Sequence, residues 1–299
     1  MNNRIFIINP VSGTINPEFY KKLIIDLMKE YKPEEKYSIN ETEKPNDITR
    51  IVEENISRTE ENILYIIGGD GTLNESVYAV IKNRLRFIPI PAGTGNDFSK
   101  TVYKEKMSAQ EIIIKSFDEK YETIDIMTTS ISKYALNVIN FGFDAQVADN
   151  VKYFRRLPFV SGQFKYNLSI VVTLLFNRNY RFKIRIDGVE QKGSYTLCAV
   201  GKGKYYGGGV KVLPYAKLNN NKLAVCLVKK TSILDKIKLL PKFKKGQHSE
   251  LKKYLEVYQC ETFTICSNKK FPLAIDGEIY NMNRFRIDTL KDMVSIIKV

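Results

Sequence analysis

Residues 63–76, "ILYIIGGDGTLNES", carry an almost wholly apolar run into three glycines around an aspartate and then into a helical pattern. The run "ILYII" (63–67) lacks the polar alternation of a half-exposed strand. It reads as a strand covered on both faces, as in a parallel sheet. Gly68, Gly69 and Gly71 at its end let backbone N–H groups close around an anion, and the following helix N-terminus adds a favourable dipole. A carboxylate in such a loop is unfavourable unless a cation intervenes, so Asp70 points to Mg2+ between itself and nucleotide phosphates. Thr72 and Glu75 also make a Thr-x-x-Glu capping box for a helix starting near Leu73. Capping does not account for Gly-Gly-Asp-Gly, so the two readings coexist.

Around this stretch the first 128 residues alternate strand and helix patterns. "RIFIINP" (4–10) is a short apolar run halted by Pro10. "PEFYKKLIIDLMKEY" (17–31) opens with Pro17 at a favourable first helical position and spaces Phe19, Leu23, Leu27 and Tyr31 along one face. "YSINET" reads as a second strand, "NDITRIVEENI" as a helix, "FIPI" (87–90) as a strand, and "ETIDIM" as the last strand after a helix near 108–117. Such alternation predicts an open α/β sheet with its ligand at the carboxyl ends of the strands. A second loop, "PIPAGTGNDFS" (89–99), falls at that same edge. Its glycines permit tight turns, and Thr94, Asn96 and Asp97 supply short polar groups; Asp97 also suits a plain N-cap or Asx-turn. There is no G-x-x-x-x-G-K-[ST] and no complete G-x-G-x-x-G, which argues against a P-loop or an ordinary dinucleotide fold.

Beyond residue 128 the pattern becomes β-rich, with Asp-Gly hairpin signals at 187–188 and 276–277. The expected organisation is an α/β nucleotide-binding domain (1–128) and a β-rich, sandwich-like, mainly antiparallel domain (129–299). Helices are expected at about 145–177 and 231–245, a hinge near 126–133, and the last residues, 290–299, packing back on the first domain.

The balance of 47 Lys+Arg against 33 Asp+Glu gives a net charge of +14, which favours polyanions such as nucleotides or an anionic lipid surface. Four cysteines lie far apart, with no Cys-x-x-Cys pair, and the start lacks signal-peptide order, so a reducing cytosolic setting is expected. The longest apolar run, "LSIVVTLLF" (168–176), is about half of the ~20 residues a bilayer span needs. His248 is the only histidine; this excludes a histidine-ligated zinc site, and its polar neighbours suggest a solvated side chain.

"NPVSG" (9–13), "GGDGTLNE" (68–75) and "PAGTGNDF" (91–98), in this order, resemble the diacylglycerol kinase catalytic family of soluble bacterial lipid kinases and sphingosine and ceramide kinases. The resemblance continues through "GQFKY" (162–166), "YYGGG" (205–209), "PYAKLNNNKL" (214–223) and "IDGE" (275–278), spanning essentially the whole chain. It implies ATP bound by Asn9, Thr42, Gly68 to Thr72 and Thr94. It further implies that Asp70 and Asp97 organise Mg2+ and phosphates, and that Glu278 takes the proton from a lipid hydroxyl, a role a carboxylate near the nucleophile can fill.

Two positions depart from the pattern. Thr14 stands where a lysine is usual, and Asn220-Asn221 replace Asp-Gly. In such members the aspartate helps hold a structural Mg2+, here with the carbonyls of Tyr215 and Leu218; a neutral amide weakens that site. The stretch 229–253 carries nine lysines and two acids around Ile233, Ile237, Leu240 and Phe243 at helical spacing. That stripe suits packing on the second domain, with the lysines turned to an anionic membrane.

The leading expectation is therefore a cytoplasmic, peripherally membrane-associated lipid kinase using ATP and Mg2+, with a diacylglycerol-type acceptor. It binds no nucleic acid, and a homodimer is compatible with it. The alternatives are an NAD kinase, which shares the Gly-Gly-Asp-Gly loop, and a catalytically inactive basic lipid-binding protein.

Overall fold

Four apolar segments become the parallel strands that the alternation predicts: β1 (Asn2–Ile8), β2 (Lys36–Glu41), β3 (Glu61–Gly68) and β4 (Arg86–Pro91), in the order β4-β3-β1-β2. The computed structural model describes residues 2–13, 15–103, 105–142 and 180–298. Thr14, the helix expected at about 145–177 and the "GQFKY" motif lie outside the described residues. The chain divides into two compact units, Met1–Ile126 with Leu290–Val299, and Met127–Thr289.

In the first unit, Ile63 to Ile67 of β3 are all fully buried, as a run without polar alternation requires. Each large apolar side chain withdrawn from water contributes at most about 2 kcal/mol. The helices are α1 (Pro17–Tyr31), α2 (Ile48–Asn55), α3 (Asp70–Asn83), α4 (Asp97–Val102) and α5 (Ala109–Ser116). Asn16 caps α1 by accepting from the N–H groups of Glu18 and Phe19, with Pro17 at the first position. α5 opens with a Ser108–Glu111 capping box. Beneath these helices Phe6, Ile24, Leu27, Ile67, Ile90 and Ile112 belong to one core. At the amino end of the sheet the wholly buried Arg4 guanidinium bonds Glu35, the Tyr65 hydroxyl and Glu119. The last strand of the chain, β13 (Glu278–Ile297), ends beside β4, in parallel, through Ser295 and Ile296. β5 (Tyr121–Thr129) also pairs with β13.

The second unit is built from antiparallel pairs among β6 (Tyr134–Ala135), β7 (Val138–Gly142), β8 (Tyr180–Ile186), β9 (Val189–Gly201), β10 (Leu223–Lys229), β11 (Leu255–Cys260), β12 (Thr262–Ile275) and β13. The order runs β11-β10-β9-β7-β12-β13, and β8 joins both β9 and β12. Both Asp-Gly signals form two-residue hairpins: Asp187-Gly188 joins β8 to β9, and Asp276-Gly277 joins β12 to β13. All four residues have positive φ, as a turn matching the strand twist requires. Phe141, Phe182, Phe263, Phe271 and Phe285 fill the core. The fold class is thus an α/β domain plus a β-rich domain, as the sequence predicts.

α6 (Ile233–Lys244) lays Leu239 and Phe243 against the sheet, so its apolar stripe is at least partly a packing face. His248, read from the sequence as solvated, is instead only 2% exposed. Its ring stacks on Phe243 at 5.0 Å, because a 3₁₀ turn over residues 248–251 folds the polar stretch back under α6.

Candidate active site

All parallel strands of the first unit end at one edge, and the hydrogen-bond ladder runs on into the loops. Asn9 N–H donates to the Ile67 carbonyl at 3.0 Å, Thr42 N–H to Ile8 at 3.0 Å, and Ala92 N–H to Gly68 at 2.9 Å. Asn9, Thr42, the Gly68–Thr72 loop, Thr94 and Asp97 are therefore gathered at that edge. Asn9 ties two loops together: its Nδ2 donates to Thr72 Oγ1 at 2.9 Å, while its Oδ1 accepts from Val11 N–H.

The glycines divide by function. A Cβ on Gly68 would lie 2.7 Å from the Thr72 side chain, and one on Gly93 2.5 Å from Gly69 Cα. At Gly13, whose φ is +60°, it would lie 2.7 Å from the Ala92 carbonyl oxygen. Gly13 and Gly93 let three loops pack backbone against backbone, and Gly68 makes room for the Thr72 side chain. A Cβ on Gly71 would meet nothing within 4 Å. Gly71, in the first turn of α3, thus faces open space at a helix end of the kind suited to phosphate.

Asp70 has a role the sequence did not reveal. Its two carboxylate oxygens accept from the N–H groups of Asp97 and Phe98, each at 3.0 Å, so Asp70 satisfies the first two N–H groups of α4 from outside the helix and joins the two Gly/Asp loops. The capping box expected from Thr72 and Glu75 is not formed. α3 starts at Asp70, three residues earlier than expected, with Gly69 as its cap. Thr72 bonds Asn9 instead, and Glu75 accepts from Ile48 N–H at the start of α2. Asp97 is 4% exposed and pairs with Lys100 at 3.3 Å; the cap of its helix is Asn96, in a left-handed conformation. Asn96 pins the loop by both accepting from and donating to the Gly93 backbone, at 2.9 and 2.7 Å. Its place in "GTGNDF" was visible in the sequence, but not this clamp. Thr94 is exposed and Thr42 partly so.

A Mg2+ ion carried by nucleotide phosphates usually keeps several waters and one or two carboxylates. Asp70 fits that demand: each oxygen accepts one N–H and retains acceptor capacity, beside the open Gly71. Among the described residues no three His, Cys, Asp or Glu side chains are grouped to hold a metal by themselves.

In the second unit Asp276 turns its carboxylate back onto the chain, accepting from the N–H groups of Leu136 (2.7 Å), Asn137 (3.1 Å) and Val138 (2.9 Å). That clamp fixes the hairpin on which Glu278 stands as the first residue of β13. Glu278 is exposed and accepts from the Tyr280 hydroxyl at 2.6 Å. Burial, and then this bond, push the Tyr280 hydroxyl up to about 12, which keeps it a donor. Below α6 an apolar recess of about 120 Å³ is lined by residues including Leu197, Val212, Leu239, Leu240 and Phe243, with Lys236 and Lys244. Asn220 Oδ1 accepts from the Lys202 ammonium at 3.1 Å and from Lys222 N–H at 3.3 Å. The Tyr215 carbonyl faces the Gln259 side-chain amide at 3.5 Å.

Residues 3–129 match the diacylglycerol kinase catalytic domain. Residues 137–298 match the YegS C-terminal NAD kinase beta sandwich-like domain. A Staphylococcus epidermidis protein named "Putative lipid kinase" is 28% identical over 269 residues, covering 87% of this chain and 85% of its own. A Staphylococcus aureus relative of the same description is 27% identical, covering 88% and 86%. Among solved structures, a diacylglycerol kinase from Bacillus anthracis superposes with a TM-score of 0.74 at 19% identity, over 99% of this chain and 97% of that one. A second structure from the same organism, described as a "putative diacylglycerol kinase", gives 0.79 at 21%, over 99% and 95%. At these identities the structures share the fold.

Proposed function

Because the chain belongs to the diacylglycerol kinase catalytic-domain family, we propose that it is an ATP- and Mg2+-dependent lipid kinase phosphorylating a hydroxyl of a membrane lipid, with a diacylglycerol-type acceptor. The observation that carries the nucleotide half is the open face of Gly71 at the start of α3, beside Asp70 and within loops knitted by Asn9, Gly69 and Gly93. Phosphoryl transfer asks mainly for positioning and charge neutralisation. The α3 N-terminus and its loop N–H groups receive phosphate oxygens, Asn9 and Asn96 hold the loops in shape, and Asp70 is the carboxylate available to a nucleotide-borne Mg2+. When bound, that ion would offset the charge on the transferred group.

Glu278 is the proposed base. It is exposed on a hairpin fixed by Asp276, and its hydrogen bond to Tyr280 orients one oxygen while leaving the carboxylate able to accept the lipid hydroxyl proton. The acyl part of the substrate has an apolar recess available under α6. Among the described residues no helix is long and apolar enough to cross a membrane. We propose that lysines of the 229–253 stretch instead draw the protein onto anionic lipid from the cytoplasmic side.

The test is phosphorylation of a total lipid extract with radiolabelled ATP and Mg2+, followed by identification of the labelled product. Glu278→Gln is expected to lower kcat by about 10²- to 10⁴-fold while leaving the KM for ATP and the unfolding temperature near wild type, since the side chain is exposed. A variant retaining full rate would remove Glu278 from the chemistry. Labelling of NAD with no labelled lipid would remove the lipid-kinase reading altogether.

A further inference from the structure

Lys202 follows the last residue of β9 in "GKGKYY" and is wholly buried, side chain included. Its backbone N–H and that of Gly203 both donate to the Asn137 carbonyl at 3.0 Å. Gly203 is pressed so closely on Asn137 that a Cβ there would lie 1.8 Å from its Oδ1. The lysine is thus anchored at its backbone. Its ammonium reaches into the loop before β10 (Leu223–Lys229), donating to Asn220 Oδ1 at 3.1 Å and to the Lys222 carbonyl at 3.0 Å. A buried ammonium persists only where protein oxygens replace its water, and this loop supplies them.

The family resemblance implies a divalent cation in this loop, held by residue 220 and the carbonyls of Tyr215 and Leu218. The residues present do not fit one. Mg2+ demands a near-octahedral set of oxygens at about 2.0–2.1 Å, usually with carboxylate charge. Asn220 offers a neutral oxygen that already accepts two N–H donors, and a divalent ion sharing that oxygen with an ammonium would be repelled by it. Asn221 keeps the turn in shape with φ of +57°; asparagine is among the few residues with a side chain that visit that region readily.

We propose that the Lys202 ammonium is the resident cation of the 214–222 loop, standing in for a structural divalent metal and making this part of the fold independent of metal. A monovalent, covalently tethered cation needs less negative charge around it than a divalent ion. An amide and a carbonyl therefore suffice, which accounts for lysine at 202 and asparagine at 220 occurring together. The inference concerns folding and stands whether or not the chain phosphorylates lipid.

The experiment is thermal unfolding without nucleotide, in excess EDTA and in millimolar Mg2+ or Ca2+. Wild type is expected to unfold at the same temperature in all three. Lys202→Met, which removes the charge while keeping the apolar stem, is expected to drop by about 5 °C or more in all three. The double change Lys202→Asn with Asn220→Asp rebuilds an anionic oxygen set. It is expected to be weak in EDTA and to rise saturably with the divalent ion, as binding to the folded state alone requires. If that variant does not fold, metal analysis of dialysed wild type decides: no stoichiometric divalent ion is expected. The proposal is overturned by a saturable Mg2+-dependent rise in wild type that Asn220→Ala abolishes, by tightly bound metal in wild type, or by Lys202→Met unfolding at the wild-type temperature in EDTA.

Discussion

Gly71 and Gly93 look alike in the sequence and do opposite things. A methyl at Gly93 meets the Gly69 backbone at 2.5 Å, whereas one at Gly71 meets only open space. Gly93→Ala is therefore expected to destabilise the first unit by about 2 kcal/mol or more, visible as a lower unfolding temperature. Gly71→Ala should unfold as wild type does and raise the KM for ATP about tenfold, read from initial rates. The glycine-rich text announced close backbone approach, but which glycine is packed and which faces open space depends on a loop some twenty residues away. The same limit applies to Asp70, whose partners Asp97 and Phe98 lie across the sheet edge. His248 was misjudged because its neighbours in the chain are polar while its neighbours in space are not. Burial pulls it down from its ordinary value to about 4. The folded state thus binds fewer protons than the unfolded one between roughly pH 6.5 and 4, so stability is full above that window and falls as pH drops through it. Wild type is expected to lose on the order of 2 kcal/mol from this residue between pH 7 and 4.5. Urea titrations of His248→Leu should show that slope reduced.

At the scale of elements, the sequence located most strands and helices because their apolar periods are strong: β3 as an unbroken run, α1 by Pro17 and its stripe, both hairpins by Asp-Gly. It misplaced the start of α3 and offered Asp97 rather than Asn96 as the cap of the short helix α4, since neither start is set by periodicity. α3 begins at a glycine cap with no side-chain signal, and α4 is held by a carboxylate borrowed from α3. Other elements are joined by charge. Arg4 of β1 is buried and bonded to Glu35 beside β2, to Tyr65 of β3 and to Glu119 after α5. Glu35→Ala would leave that guanidinium with reduced compensation, and a loss of about 2–3 kcal/mol in chemical denaturation is expected. Arg4 in "NNRIF" gave no hint of burial, because a charged residue opening a strand ordinarily faces water.

For the whole molecule, a net charge of +14 acts at a distance that no single contact reveals. Lys238, Lys244 and Lys245 are exposed along and just after α6, whose Leu239 and Phe243 pack inward. Each lysine near an anionic surface is worth about 1 kcal/mol. Changing all three to Gln should weaken binding to phosphatidylglycerol vesicles on the order of tenfold to a hundredfold in a sedimentation assay. Wild-type binding should itself weaken with rising salt. The two-part architecture and the meeting of the two Gly/Asp loops at one sheet edge were legible because they rest on local pattern and on motif order. Lys202 was not, because a lysine between glycines reads as surface until the fold shows the amide and carbonyl oxygens it bonds.

The course of β13 imposes an order of events on synthesis. Its final residues complete the first unit beside β4, yet 163 residues, Met127–Thr289, are made between the two parts of that unit. At about 5–20 residues per second the ribosome takes roughly 10–30 s to cross that gap. Throughout it, β4 offers the growing chain an unpaired edge that Ser295 and Ile296 will later cover. The first unit is thus begun before the second and closed after it.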